Sequence, residues 1–339
     1  MKKSPLSSNL IETEHFPIAA RGIVRRVQNF SSTHQLWRHG DSFVLGISGG
    51  PDSVCLLDIF TYLRKKYDFR ITLAHVNYGL RGRDSDLDEL FVKNLACRYD
   101  LPLFILHPKV AAKNNLEERL RDIRYQFFEK IRKETGSDTI VTAHHEDDQA
   151  ETFLLHLFRG SGLRGLSAMR PKNGALIRPL LDTSRADILD YLQIRKLSFR
   201  IDTSNSSDVF LRNKIRNKLL PLLEKEYAPK LRERLAKTAS LVAEDVSLLE
   251  KKSKVRLEKS LLTPHSFSLK SFQNLNLSEQ RLFLDLFFKK NTGKSSGTWI
   301  AESQKMLSRA NNKNQTLSFP GLKILRKGDT VLLIRTEKS

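Results

Sequence analysis

Apolar positions in the first two hundred residues follow two alternating rhythms. Short continuous runs, Phe43–Ile47, Ile71–Val76, Leu103–Leu106 and Thr139–Ala143, have the length and composition of buried strands. Between them the spacing predicts helices over 23–37, 54–66, 87–98, 116–134 and 147–158. In the fourth, Leu120, Ile123, Phe127 and Ile131 recur at helical intervals. Strands alternating with helices predict an α/β, doubly wound, Rossmann-like parallel sheet covered on both faces. In such sheets a ligand sits beyond the carboxyl ends of the strands. Residues 1–20 read as a loose polar extension. Beyond about residue 201 the strand signal fades, and 211–260 reads as helical. The end mixes helices near 278–289 and 299–309 with a hairpin: Leu317–Phe319, a Pro320-Gly321 turn, Lys323–Arg326, a Lys327-Gly328-Asp329 turn and Thr330–Ile334. The expected organisation is an extension at 1–40, an α/β catalytic domain at 41–222, a helical linker at 223–262 and a small α+β domain at 263–339.

Charge changes this picture. The chain of 339 residues carries a formal +20, and residues 203–339, with 27 basic and 13 acidic side chains, hold +14 of it. Solubility alone does not account for so lopsided a distribution. It points to a polyanionic partner, nucleic acid ahead of membrane. Two cysteines, Cys55 and Cys97, cannot build a disulfide framework, a thiolate zinc site or an iron–sulfur cluster by themselves. No run approaches eighteen apolar residues, and the N-terminus lacks an apolar signal core. The expectation is a reduced, cytoplasmic compartment and no membrane partner.

Two motifs carry chemistry. Ser48-Gly49-Gly50-Pro51-Asp52-Ser53 ends a strand and opens a helix. Its glycines let backbone amides approach a phosphate, the helix N-terminus adds partial positive charge, and two hydroxyls can donate. It lacks the Gly-Lys-Ser/Thr of a Walker A loop. The second motif, His144-His145-Glu146-Asp147-Asp148-Gln149-Ala150-Glu151-Thr152, follows another strand. Spacings of three and four put Asp148 with Glu151, and Asp147 with Glu151, on one helix face. Acids favour a helix N-terminus, yet three beside two histidines exceed what capping needs and suit a cationic amine or magnesium. Arg121 and Arg124 share a helix face. They suit a phosphate or a carboxylate, and equally suit surface pairs with Glu117 and Glu118. Arg212 and Arg216, one turn apart with Lys214 and Lys218 nearby, favour phosphate contact over a merely solvated helix. Phe199, Phe210, Phe272 and Trp299 could stack on bases but are more often core residues. His107, His156 and His265 read as structural, and Cys55 as a buried small hydrophobe.

The hexapeptide at 48–53 resembles the PP-loop, S-G-G-x-D-S, of ATP pyrophosphatases. Together with His75-Val76-Asn77-Tyr78-Gly79-Leu80-Arg81, Glu118-x-x-Arg121-x-x-Arg124-Tyr125, His144–Thr152, Arg159–Leu166, Arg178-Pro179-Leu180-Leu181, Asp202-Thr203-Ser204-Asn205 and Arg212-Asn213-x-x-Arg216, it resembles the motif series of the tRNA(Ile)-lysidine synthetase family over about residues 42–222. The chain is similar to the family's shorter architecture. It departs at Tyr78, where the family often has a second histidine.

The resemblance implies a PP-loop ATPase domain with ATP and Mg2+ as cofactors, and tRNA(Ile) bearing a CAU anticodon and free L-lysine as partners. A homodimer stays open. ATP would adenylate O2 of the wobble cytidine, and lysine would then displace AMP at C2. The implied roles put Ser48, Gly49, Gly50, Pro51, Asp52, Ser53, His75 and Asn77 at the nucleotide. Asp52, Asp148 and Glu151 are the catalytic candidates. Asp147, Arg121, Arg124, Arg212 and Arg216 face substrate, and Asp52 and Asp147 are the magnesium candidates. Rival readings are a sulfur-transferring or ammonia-using relative and an RNA-binding protein without catalysis. The two cysteines, with no C-x-x-C spacing, argue against sulfur chemistry.

Overall fold

The computed structural model describes residues 16–109, 116–201, 211–308 and 314–336. The chain divides into two compact units, residues 1–241 and 242–339. In the first, the expected alternation is realised as α1 (Arg21–Thr33), β1 (Ser42–Gly46), α2 (Pro51–Tyr67), β2 (Arg70–Val76), α3 (Arg83–Arg98), β3 (Leu103–Leu106), α4 (Leu116–Glu134), β4 (Thr139–Val141) and α5 (Glu146–Phe158). Then come α6 (Leu163–Leu166), two short strands β5 (Lys172–Asn173) and β6 (Leu176–Ile177), and α7 (Arg185–Ile194). The six strands lie in the order β3-β2-β1-β4-β6-β5. All neighbours are parallel except the β5–β6 hairpin at one edge. Leu45 pairs with Leu73 on one side and Val141 on the other. The chain therefore moves outward from β1 through β2 to β3, then returns to the opposite side of β1. That reversal makes the ends of β1 and β4 the switch point where such sheets bind ligands.

The fold is doubly wound because each strand is apolar on both faces. One layer of core holds Phe43, Leu45, Phe60, Leu73 and Val141, and the opposite layer holds Val44, Ala74, Phe127, Phe128 and Ile140. Helix α2 lies deep, with Val54, Cys55, Leu56, Leu57, Ile59 and Phe60 fully buried. Burial contributes about 1.5–3 kcal/mol for each large apolar side chain of this kind. Gly46 closes β1 because a Cβ there would meet Phe128 Cε2 at 2.5 Å. Phe16 departs from the expected loose extension. It is buried, with its ring 3.8 Å from that of Tyr62 and the Arg195 guanidinium 4.5 Å above it. Phe16 precedes the helical repeat and belongs to no periodic run, so the sequence pattern did not reveal it.

A buried carboxylate ties the helices on one face together. Asp58 of α2 accepts from Tyr99 (2.9 Å), Tyr191 of α7 (2.6 Å) and Arg195 (2.8 and 3.2 Å). Past the segment 202–210 the helical region is less continuous than expected. It comprises α8 (Leu211–Lys214), a π-helical stretch Ile215–Leu219, α9 (Leu220–Glu226) and α10 (Leu231–Ser260), which runs through the unit boundary. Ile215 and Leu220 pack with Ala150 and Leu154 of α5.

The second unit contains an antiparallel sheet ordered β7-β8-β11-β10-β9, from β7 (Leu261–Thr263), β8 (Ser266–Ser268), β9 (Gln315–Phe319), β10 (Leu322–Lys327) and β11 (Thr330–Arg335). The expected hairpins pair Leu322 with Phe319 and Lys327 with Thr330. Helices α11 (Leu269–Gln273), α12 (Leu277–Thr292) and α13 (Gly297–Leu307) supply an aromatic core. Phe267, Phe272, Phe283, Phe287, Phe288 and Trp299 all belong to it. Phe272 and Trp299 are thus core residues, Phe199 is packed partly buried against the first core, and Phe210 lies outside the described residues.

Candidate active site

The switch point is occupied by the two motifs. After β1, Ile47 N–H continues the ladder to the Ala74 carbonyl at 2.9 Å, and the chain then turns sharply. Gly49 takes φ +86°, a left-handed conformation that favours glycine, and a Cβ there would press on Phe91 Cδ1 at 3.3 Å. Ser53 is the hub of the loop. Its hydroxyl accepts from Gly49 N–H (3.1 Å) and Ser48 N–H (3.3 Å) and donates to the Gly50 carbonyl (2.9 Å). The Ser48 hydroxyl accepts from Gly50 N–H at 3.3 Å. Gly50 caps α2 with Pro51 in its first turn, where a missing N–H costs nothing. The Gly49 carbonyl receives Arg200 N–H at 2.9 Å. Ser53 thus shapes the loop, and Ser48, Gly50 and the start of α2 form its open side.

His75 and Asn77 lie at the end of β2. The buried His75 places Nδ1 2.8 Å from the Ile47 carbonyl, so Nδ1 carries the proton, and Nε2 is a buried acceptor without a protein partner among the described residues. Burial, more than any other influence, pushes its pKa below the ordinary range; the Ile47 contact opposes this. The imidazole is therefore neutral. The Asn77 side chain is committed internally. It donates to Glu89 (2.9 Å) and Asp86 (3.3 Å) and accepts from Gly79 N–H (2.9 Å). Tyr78 donates to the Leu120 carbonyl at 2.7 Å.

After β4, the acid motif forms the first turns of α5, where the helix N-terminus favours negative charge. His145 is sealed beneath it. Its Nε2 lies 3.6 Å from Asp52 and 3.5 Å from Asp148, and its Nδ1 lies 3.8 Å from Asp147. One ring therefore links the phosphate loop to the acid helix. Asp52 also faces Arg185 at 3.5 Å. Burial raises the Asp52 pKa, with Asp148 adding to this and His145 and Arg185 opposing.

Asp148 and Glu151 come together, as their spacing predicts, but not as an open acid patch. Asp148 Oδ1 accepts from Arg212 (2.8 Å) and Arg216 (3.1 Å), and its Oδ2 accepts from His145 N–H (3.1 Å). Glu151 Oε2 accepts from Arg212 Nε (2.8 Å) and Arg216 Nη2 (2.9 Å), and Oε1 from Arg216 Nε. Burial works to raise the Asp148 pKa, but His145, Arg212, His144 and Arg216 together hold it well below the carboxylate range. His144 lies 2.9 Å from Thr142 Oγ1, and its pKa is pushed down by burial first and then by Arg178, Arg212 and Arg124, against the pull of Asp148. Asp147 turns the other way, to Arg185 N–H (3.1 Å) and Arg232 Nε (3.2 Å). Arg121 and Arg124 lie 5.5 and 5.7 Å from the Tyr125 ring centroid, with Arg124 near enough to bear on His144.

Among the described residues no group of three or more His, Cys, Asp or Glu side chains is arranged to hold a metal. Magnesium needs few: one or two carboxylates plus phosphate oxygens complete its octahedron. Asp52, partly exposed beside the loop, fits that role, whereas Asp147 is already engaged by the Arg185 amide and the Arg232 guanidinium.

Residues 20–223 match the model of the PP-loop domain named ATP_bind_3. A curated tRNA(Ile)-lysidine synthase from Geobacillus kaustophilus is 33% identical over 91% of this chain and 70% of its own length. The chain belongs to the tRNA(Ile)-lysidine synthase family. Another relative of that name, from Caldanaerobacter subterraneus subsp. tengcongensis, is 39% identical over 68% of this chain, and the matched region spans about half of that protein's length. Among solved structures, the U34-tRNA thiolase NcsA from Methanococcus maripaludis superposes with a TM-score of 0.56 at 19% identity, covering 67% of this chain and 79% of the other, a likeness of fold alone. The PP-loop match begins at residue 20, so α1 lies within it.

Within the family's motifs, sequence reasoning assigned no role to His145, although the motif contains it. It also passed over Arg185, Arg200 and Arg232, which have no local pattern and reach the site only through the tertiary fold. The Asp202–Asn205 motif lies outside the described residues. Cys55 is fully buried in α2 and Cys97 is exposed on α3. His107, His156 and His265 bond Glu89, the Gly165 carbonyl and Asn291, in keeping with structural roles.

Proposed function

We propose that the protein ligates free L-lysine to C2 of the wobble cytidine in tRNA(Ile) with a CAU anticodon, using ATP. One observation carries this reading. The phosphate loop and the acid helix leave adjacent strands at the switch point, and His145 stands between Asp52 of one and Asp148 of the other. Nucleotide and amine chemistry are thus within reach of one bound base.

In the first step, cytosine O2 attacks the α-phosphorus and pyrophosphate leaves. The open side of the loop and the α2 N-terminus stabilise the charge that builds on the departing phosphates. Bound magnesium would supply further neutralisation beside Asp52. The neutral His75 offers Nε2 as an acceptor at the β2 end, where adenine and ribose are placed in this reading. In the second step a carboxylate of the Asp148–Glu151 pair takes a proton from the lysine ammonium, the freed amine attacks C2, and the C2–O2 bond breaks so that AMP leaves with O2. Asp148 and Glu151 hold the ammonium groups before that proton departs. Residues 203–339 supply the basic surface for tRNA, with 263–339 as the dedicated RNA-binding part, in a cytoplasmic enzyme. The family's PP-loop domain supports the use of ATP, and the curated relatives' name supports a tRNA substrate.

The test is direct. Purified protein, ATP, magnesium, lysine and a CAU-anticodon tRNA(Ile) transcript are incubated, and nucleosides are read by mass spectrometry. A cytidine carrying one lysyl group is expected. Its absence, with tRNA bound and ATP present, overturns the reading. Asp148→Ala should abolish lysine transfer while tRNA affinity stays within severalfold.

A further inference from the structure

The acid pair that would receive lysine is already full. Asp148 and Glu151 are buried, and Arg212 and Arg216 each bond both carboxylates. Two guanidiniums against two carboxylates leave no net charge where a lysine ammonium needs a negative one. The basic partners are the more accessible half. Their side chains are 22% and 30% exposed, against 11% and 1% for the acids. Both arginines sit on a stretch, 211–220, that carries Arg212, Lys214, Arg216 and Lys218 and no acid. Lys214 and Lys218 are exposed there. Arg216 lies within the π-helical segment Ile215–Leu219, a geometry that often accompanies function.

A guanidinium fork fits a carboxylate and a phosphate equally well. We propose that Arg212 and Arg216 are positioning residues that exchange partners. In the free protein they cap Asp148 and Glu151 and keep lysine affinity low. When the backbone of the substrate RNA reaches this basic stretch, its phosphates take the guanidiniums and the carboxylates are released to the amine. Lysine then binds after, or together with, the RNA that will receive it. By linkage, lysine tightens RNA binding by the same factor. This inference rests on the reading of Asp148 and Glu151 as the lysine subsite.

The test is equilibrium dialysis of radiolabelled lysine with the full chain and a non-hydrolysable ATP analogue, with and without a saturating CAU anticodon stem–loop. For the unsubstituted protein, RNA should tighten lysine binding at least tenfold. Arg216→Gln, without RNA, should bind lysine at least fivefold tighter than the unsubstituted protein, and RNA should add less than twofold. Arg216→Lys, which keeps the charge but loses the fork, should fall between, and it serves if the glutamine variant does not fold. Equal lysine affinity with and without RNA overturns the cap while leaving the lysine subsite intact. So does an RNA-free Arg216→Gln, or its lysine substitute, that binds no tighter. No lysine binding in any state, RNA included, overturns the subsite reading and the cap together.

Discussion

The phosphate loop and the acid helix stand at the ends of neighbouring strands, yet they are held by opposite means. The loop contains one ionisable group, Asp52, and is shaped by its own backbone. Ser53 accepts two of its amides and donates to a carbonyl, and Gly49 supplies the left-handed turn. Every one of those partners lies within five residues. The acid helix places Glu146, Asp147 and Asp148 in its first turn, and its two buried acids are held by arginines 61 to 68 residues away in sequence. A phosphate can be met by a preformed cradle of dipoles. A cationic substrate needs charge, and buried charge must be paired until the substrate arrives.

Breaking the long-range pairing should produce the largest effect. In Glu151→Gln two guanidiniums would face a neutral amide in a buried site, which costs about 3–5 kcal/mol. The urea midpoint should fall accordingly, and lysine transfer should be lost. Adding Arg216→Gln to Glu151→Gln should recover part of the stability but none of the activity. A Glu151→Gln protein as stable as the parent would mean the four charges are not coupled.

Next in size is the loop's own geometry. Gly49→Val forces a β-branched residue to φ +86° against Phe91, at a cost of about 1–3 kcal/mol. ATP affinity, measured by calorimetry, should fall at least tenfold while tRNA binding in the absence of nucleotide is unchanged. Ser53→Ala removes the hub without strain. It should cost about 1–2 kcal/mol through lost hydrogen bonds and weaken ATP severalfold. If Gly49→Val spares ATP binding, the phosphates do not lie against this turn.

The same contrast explains what the sequence made legible. Strands β1 to β4 and the helices between them follow from local periodicity, because each element buries its own apolar run, whereas the order of the sheet does not. The loop at 48–53 was readable for the same reason. The pairing of Asp148 and Glu151 on one face followed from helical spacing, but their arginine partners did not. A basic helix facing solvent and one facing buried acids have the same composition. Arg212 and Arg216 therefore read as phosphate contacts, and their carboxylate partners became visible only once α8 and the π-helical stretch packed on α5. Asp58 is another such case, with Tyr191 and Arg195 arriving from 133 and 137 residues away. The strands β5 and β6, two residues each, are too short to show any period. The π-helical stretch and the break after α9 interrupted a segment whose composition reads as uniformly helical.

The smallest effect sharpens the comparison at the β2 end, where local and long-range devices meet. Glu89 of α3 accepts from Asn77 (2.9 Å), Lys93 (2.7 Å) and His107 (2.6 Å). Burial alone would raise its pKa, but these three donors bring it down to about 2. A carboxylate with a depressed native pKa stabilises the fold fully above its unfolded value, near 4.5, and loses that contribution as the pH falls toward 2. Glu89→Gln should therefore cost about 1–2 kcal/mol at neutral pH, after discounting for the solvent that reaches Lys93 and His107. The difference between variant and parent should hold from pH 7 to about pH 5 and shrink steadily below it, in urea titrations at each pH. Because Glu89 fixes Asn77 rather than the phosphate loop, the variant's affinity for pyrophosphate should stay at the parental value while its affinity for ATP falls a few-fold. A loss shared equally by both ligands would place the Glu89 network under the loop instead of at the adenosine end.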